Sequence, residues 1–144
     1  MNQKGEYQQL ENRLMILLES EPFEDGITHP AEETISKFLK EYPVNGLEQI
    51  EKLFVNYYEK NPYYAKGILH CLRHMNRETI SPIGYPIAKK GLKHEDIEMR
   101  DLSVSALENW AGQEALNILI SHNESCSWLK KYILKVIKDL KKSN

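Results

Sequence analysis

Residues 92–110 read LKHEDIEMRDLSVSALENW, and this stretch recurs in altered form on either side of itself. Met99, Ser103, Ala106, Leu107 and Trp110 stand thirty-five residues after Tyr64, Ile68, Cys71, Leu72 and Met75, and thirty before Leu129, Ile133, Val136, Ile137 and Leu140. Each set falls at i, i+4, i+7, i+8 and i+11, the spacing of one face of an α-helix. A second helix precedes each copy, which makes the repeating unit a helical pair. Two short helices cannot bury enough apolar surface alone, so neighbouring pairs must stack and share a core. The expectation is an all-α chain in which Cys71, Ala106 and Val136 are buried.

Working outward, Ser81-Pro82 reads as the start of a helix ending near Leu92. Asp96 caps the helix of the quoted stretch, and Ala111-Gly112 closes it in the manner of a C′ glycine. The helix from Gln113 to about Ser121 repeats its counterpart at a spacing of twenty-eight, Gly84, Ala88, Leu92 and His94 becoming Gly112, Leu116, Ile120 and His122. The helix after it repeats at thirty, so the intervening turn, Asn123 to Cys126, must be longer. That last helix runs from Ser127 to about Lys142. In the other direction, Asn61-Pro62 opens a helix to about Met75. Asn45, with Glu48 three residues on, is a capping-box-like start for a helix carrying Leu47, Ile50, Phe54, Tyr57 and Tyr58. Before Pro43, one helix from about Glu6 to Ser20 carries Tyr7, Leu10, Leu14, Leu17 and Leu18. Another, from Pro30 and capped by Thr28 or His29, carries Ile35, Phe38, Leu39 and Tyr42. The organisation expected is one domain over 1–144, with capping helices in 1–43 and helical pairs in 44–76, 82–111 and 112–142.

Asp96, Met99, Arg100, Ser103, Ala106 and Leu107 form a short acidic turn, an apolar residue, an arginine, then small residues before Ala-Leu. In this the chain resembles HEAT repeats in their second helix. The first copy keeps Asn61, Pro62, Tyr64, Ile68, Cys71 and Leu72 but has Ala65 in place of the arginine, and the last copy has Leu129 there. The resemblance covers roughly Val44 to Leu140. It implies a HEAT-like α-α superhelix of about eight helices and, commonly, protein binding. The motif is a packing signature and carries no active-site chemistry.

Bulk composition narrows the classes. The 144 residues are 41% hydrophobic and 28% charged, an ordinary globular balance long enough for a core. With 19 basic and 21 acidic residues the net charge is −2, against the strongly basic character of a generic polyanion binder. Two cysteines, Cys71 and Cys126, form no framework of spacings, and Cys71 falls on the repeating apolar face as a small hydrophobe. The N-terminal MNQKGEYQQLENR lacks an apolar signal core, and no run approaches the ~18 apolar residues of a membrane span. The expected location is cytoplasmic.

In HEAT-like stacks the second helices line the concave surface, and the same four non-core slots recur on each. They hold Tyr63, Lys66, His70 and Arg73 in the first pair, Glu98, Asp101, Ser105 and Glu108 in the second, and Trp128, Lys131, Lys135 and Lys138 in the third. Each set is i, i+3, i+7, i+10, one stripe on its helix. Solvated charges pairing between neighbouring helices are the simpler explanation, at ~0 to 1 kcal/mol per exposed pair. The functional reading is that an acidic stripe framed by Tyr63 and Trp128 meets a basic patch on a protein partner, since aromatic anchors beside complementary charge compose interface hot spots.

Enzymatic alternatives have thinner support. His70 and His74 at i, i+4 could share a metal with Asp101 or Glu108, but such spacing is common by chance. His94-Glu95 resembles one His-Glu motif of HEAT-repeat metal hydroxylases such as deoxyhypusine hydroxylase, which need several. HEAT-like DNA glycosylases need a broadly basic groove, whereas Glu98, Asp101 and Glu108 fall mid-groove. Nucleophile elbows, phosphate loops and dinucleotide fingerprints are absent. The expectation is therefore a non-catalytic module with no cofactor and no metal, an adaptor or inhibitor of one protein partner. Small bacterial immunity proteins that neutralise a delivered toxin are the inhibitor class that the architecture resembles.

Overall fold

The computed structural model describes residues 3–143. Among these the chain forms nine α-helices and no strand, and it divides after Cys71 into two compact units. The division falls within the expected 44–76 pair. The first unit holds α1 (Gln3–Ser20), α2 (Pro30–Glu41), α3 (Asn45–Tyr57) and nearly all of α4 (Pro62–Leu72).

Its core is built from most of the anticipated residues with Leu53 added, whereas Tyr7, Leu17, Tyr42 and Tyr57 are only half-buried. Leu10, Leu14 and Leu18 of α1, Ile35, Phe38 and Leu39 of α2, Ile50, Leu53 and Phe54 of α3, and Tyr64 and Ile68 of α4 are all buried. Each such side chain contributes about 1.5–3 kcal/mol when fully removed from water. The Tyr57 hydroxyl donates to the Glu11 carboxylate. That of Tyr64 donates to the Glu11 carbonyl at 3.3 Å. Gly67 sets the spacing of α1 and α4, because a Cβ there would stand 2.8 Å from both Leu18 methyls. At α2, His29 is the N-cap: its Nδ1 accepts from the Ala31 N–H at 3.0 Å, which leaves Nε2 to donate to the Glu21 carbonyl at 2.9 Å.

The expected capping box at Asn45 does not start α3. Val44 holds the N-cap position without a side-chain bond, and Asn45 is already helical. The chain turns tightly out of α2, the Gly46 N–H bonding the Tyr42 carbonyl at 2.8 Å, so the backbone itself satisfies a donor that a capping side chain would otherwise take.

In the second unit, α5 (Arg77–Ile80), α6 (Gly84–Gly91), α7 (Ile97–Trp110), α8 (Gly112–Ser121) and α9 (Ser127–Ser143) follow one another. The single-turn α5 was not foreseen. It occupies the stretch before Ser81-Pro82, and the helix expected to open at Ser81 opens at Gly84 instead. Buried Ile80 and Ile83 explain the displacement, since both must reach the core and the turn between them carries Ser81 and Pro82 outward. Asp96 caps α7 as expected, its Oδ1 accepting from the Glu98 N–H at 2.9 Å. Met99, Ser103, Ala106, Leu107 and Trp110 are buried, as are Leu129, Ile133, Val136 and Leu140 of α9. The Trp110 indole N–H meets the Met75 carbonyl at 3.0 Å, as a buried tryptophan requires.

A single residue joins α7 to α8. Ala111 has φ 55° and ψ −155°, and Gly112 beyond it has φ 84°. The glycine fits the expected C′ position; the alanine has no such licence and stores backbone strain. Arg77 and Tyr85 brace the junction from outside, donating to the carbonyls of Trp110 at 3.1 Å and Ala111 at 2.7 Å.

Candidate functional site

The three recurring stripes fall on α4, α7 and α9, and burial separates them. On α4, Tyr63 is 59% exposed while its hydroxyl donates to the Leu18 carbonyl at 3.0 Å. Lys66 and His70 are half-buried. The Phe23 ring lies edge-on to His70 at 3.8 Å and stacks on His29 at 4.1 Å, so His70 belongs to an aromatic cluster. Arg73 lies just beyond α4, at the start of the second unit.

Within the second unit, the α7 stripe is partly consumed by its surroundings. Glu98 is exposed, but Asp101, Ser105 and Glu108 are half-buried. Arg73 Nη1 donates to the Ser105 hydroxyl at 2.9 Å, and the Arg73 carbonyl accepts from the Asn109 amide at 2.7 Å. Burial raises the Asp101 carboxyl above its ordinary pKa, with Arg73 pulling it back and Glu98 pushing it further up. The Tyr132 hydroxyl of α9 donates to Glu108 Oε1 at 2.7 Å; burial first, and then that carboxylate, raises the phenol's pKa. Asp101, Ser105 and Glu108 are thus tied into the packing around α7. Sequence spacing put them on one stripe but could not reveal that Arg73 and Tyr132 reach them.

The α9 stripe remains open. Trp128 is 52% exposed, which settles it as a surface residue, and Lys131, Lys135 and Lys138 are exposed around it. Lys135 approaches Asp139 at 3.9 Å, whereas Lys131 and Lys138 have no ionic partner among the described residues. Leu134, 56% exposed, adds a second apolar contact on this face.

A buried carboxylate escaped sequence reading altogether. Glu124 lies in the long turn before α9 with its side chain 2% exposed, and accepts from Arg100 Nε at 3.0 Å, Arg100 Nη2 at 3.1 Å, His122 Nε2 at 2.9 Å and the Cys126 N–H at 3.0 Å. Burial pushes its carboxyl up, but these donors outweigh that and hold it down at about 2. Arg100 also spans the carbonyls of His94 and Glu95 at 3.0 and 2.9 Å. His94, considered above with Glu95 for metal chemistry, is buried and accepts from the Asp96 N–H through Nδ1 at 2.9 Å. The signal available was the twenty-eight-residue spacing, which sets Glu124 opposite Asp96.

Cys71 is buried, and burial pushes its thiol well above the usual range, which removes it from nucleophilic chemistry. Among the described residues no group of three or more histidine, cysteine, aspartate or glutamate side chains could hold a metal ion. No helix there is long and apolar enough to cross a membrane. The chain matches no protein family, no curated protein and no solved structure.

Proposed function

We propose that this chain is a HEAT-like, non-catalytic protein-binding module, an adaptor or inhibitor of a single protein partner in the cytoplasm. The observation that carries the reading is on α9, where Trp128 stays half-exposed beside Lys131, Lys135 and Lys138 on a helix whose opposite face is firmly buried. A tryptophan left in water at the start of a well-packed helix is the residue type enriched at interface hot spots, and the exposed lysines along the same stripe are charges that steer a partner. Exposed Glu98 on α7, which packs against α9, supplies charge of the opposite sign. The candidate contacts are Tyr63, Lys66 and His70 in the first unit, and Arg73 with the α7 and α9 stripes in the second. Immunity proteins against delivered toxins are the narrower instance of the inhibitor class.

The test is affinity capture with products of adjacent genes, followed by titration of any partner against Trp128→Ala and the Lys131→Glu/Lys138→Glu double variant. Either is expected to weaken binding by about 2 kcal/mol or more, as at hot-spot positions. Unchanged affinity, with helicity verified by circular dichroism, would remove α9 from the interface. Stoichiometric metal in the purified protein, lost on changing His70 and His74, would instead support an enzyme.

A further inference from the structure

A cleft of about 700 Å³ opens between α6 and α8, away from the α7 and α9 stripes. Its lining includes pairs of positions related by the twenty-eight-residue spacing, Pro86 and Glu114, Lys89 and Asn117, Lys93 and Ser121. Four donors on exposed residues line it: the ammonium groups of Lys89 and Lys93, the Ser121 hydroxyl and the Asn123 amide. None of these side chains has a hydrogen-bond or ionic partner among the described residues. Of the other polar groups bordering the cleft, His122 is engaged by Glu124 and the Asn117 Oδ1 accepts from Gln113. The remaining wall, from Tyr85, Pro86, Leu92 and Ile118, is apolar or aromatic, and Glu114 adds a carboxylate to the lining.

We infer that this cleft binds a small organic anion, its carboxylate or phosphate held by Lys89, Lys93, Ser121 and Asn123 and its apolar body against Tyr85, Pro86 and Ile118. The volume lies in the range of small-molecule sites, roughly 300–1,000 Å³. Two cations four residues apart can grip one anion together. Glu114 repels an anionic group placed beside it and so favours the head group near the lysines. This site is independent of protein recognition through α9.

Nuclear magnetic resonance titration of the full chain with 1-naphthyl phosphate, 1-naphthoate, neutral 1-naphthol and inorganic phosphate tests the assignment. One naphthyl anion is expected to bind saturably, with shifts confined to residues 85–93 and 114–123, and the tighter of the two identifies the head group. The Lys89→Gln/Lys93→Gln variant should weaken it about ten-fold or more, as loss of charge-assisted hydrogen bonds requires, and Glu114→Gln should tighten it. Weaker binding of naphthol and of inorganic phosphate would show that both the charge and the apolar body are used. Absence of saturable binding by either naphthyl anion would overturn the inference. So would shifts centred on the α9 lysines, or equal weakening by Lys131→Gln/Lys138→Gln.

Discussion

Glu124 shows how one side chain can hold a turn. Four donors from Arg100, His122 and the Cys126 backbone reach it in a site nearly closed to water. An unfolded chain would bind a proton there near pH 4.5, whereas the folded one resists until about pH 2. Stability from this group is therefore fully present above pH 4.5 and is lost as pH falls through that window. Glu124→Gln should cost about 2 kcal/mol at neutral pH, after discount for residual screening, and flatten the acid limb of stability between pH 4.5 and 2. Urea melts at several pH values measure both. Ala111 gives the opposite sign: at φ 55° its Cβ costs about 1–3 kcal/mol, so Ala111→Gly should raise stability by about 1 kcal/mol despite the added freedom of the unfolded chain. A thermal melt that falls instead would mean that the methyl group makes a compensating contact.

At the scale of helices, what sequence revealed and what it hid divide along physical lines. The faces of α4, α7 and α9 were legible because a buried stripe is a local property of one helix, read from spacing alone. Cys71, Ala106 and Val136 are accordingly fully buried. Helix starts were legible where a side chain supplies the cap, as at His29 and Asp96, and illegible where backbone or core packing sets the boundary, as at Asn45 and Ser81. The candidate site was legible only as a list of slots. Whether Glu108 faces water depends on Tyr132, twenty-four residues away, and the α6–α8 cleft depends on the gap between two helices. Gly67 belongs to the same category of interhelical fact. Gly67→Ala should gain up to about 1 kcal/mol of helix propensity but lose more through the 2.8 Å approach to Leu18, itself too buried to swing aside. Net destabilisation of about 1 kcal/mol in chemical denaturation is the expected result.

Over the whole molecule the near-neutral charge conceals two unlike halves. Residues 1–71 carry twelve acidic and seven basic side chains, whereas 72–144 carry nine acidic and twelve basic, six of the latter lysines on α9. Composition alone argued against a basic surface, yet α9 presents one, with Trp128 and Leu134 exposed within it. Recognition and folding can then be separated experimentally. Glu98→Lys should leave the melting temperature nearly unchanged while altering partner affinity, because Glu98 is exposed. Glu108→Lys should cost about 1–3 kcal/mol of stability by depriving the half-buried Tyr132 hydroxyl of its acceptor. Paired thermal melts and binding titrations distinguish the two; equal destabilisation would mean that Glu98 is also a structural residue.

The one-residue joint between α7 and α8 also determines where this chain can accept new sequence. Ala111 and Gly112 both take positive φ, and the Trp110 and Ala111 carbonyls are already claimed by Arg77 and Tyr85. Even one inserted residue would rotate α8 away from its bonded register, so an epitope placed after Ala111 should abolish soluble expression. In the connection ahead of α2 only Gly26 takes positive φ, at 79°, and it lies at the exposed tip. Residues 24–28 are exposed and nothing lies within 4 Å of a Cβ built on Gly26, so a tag or a short reporter peptide belongs there.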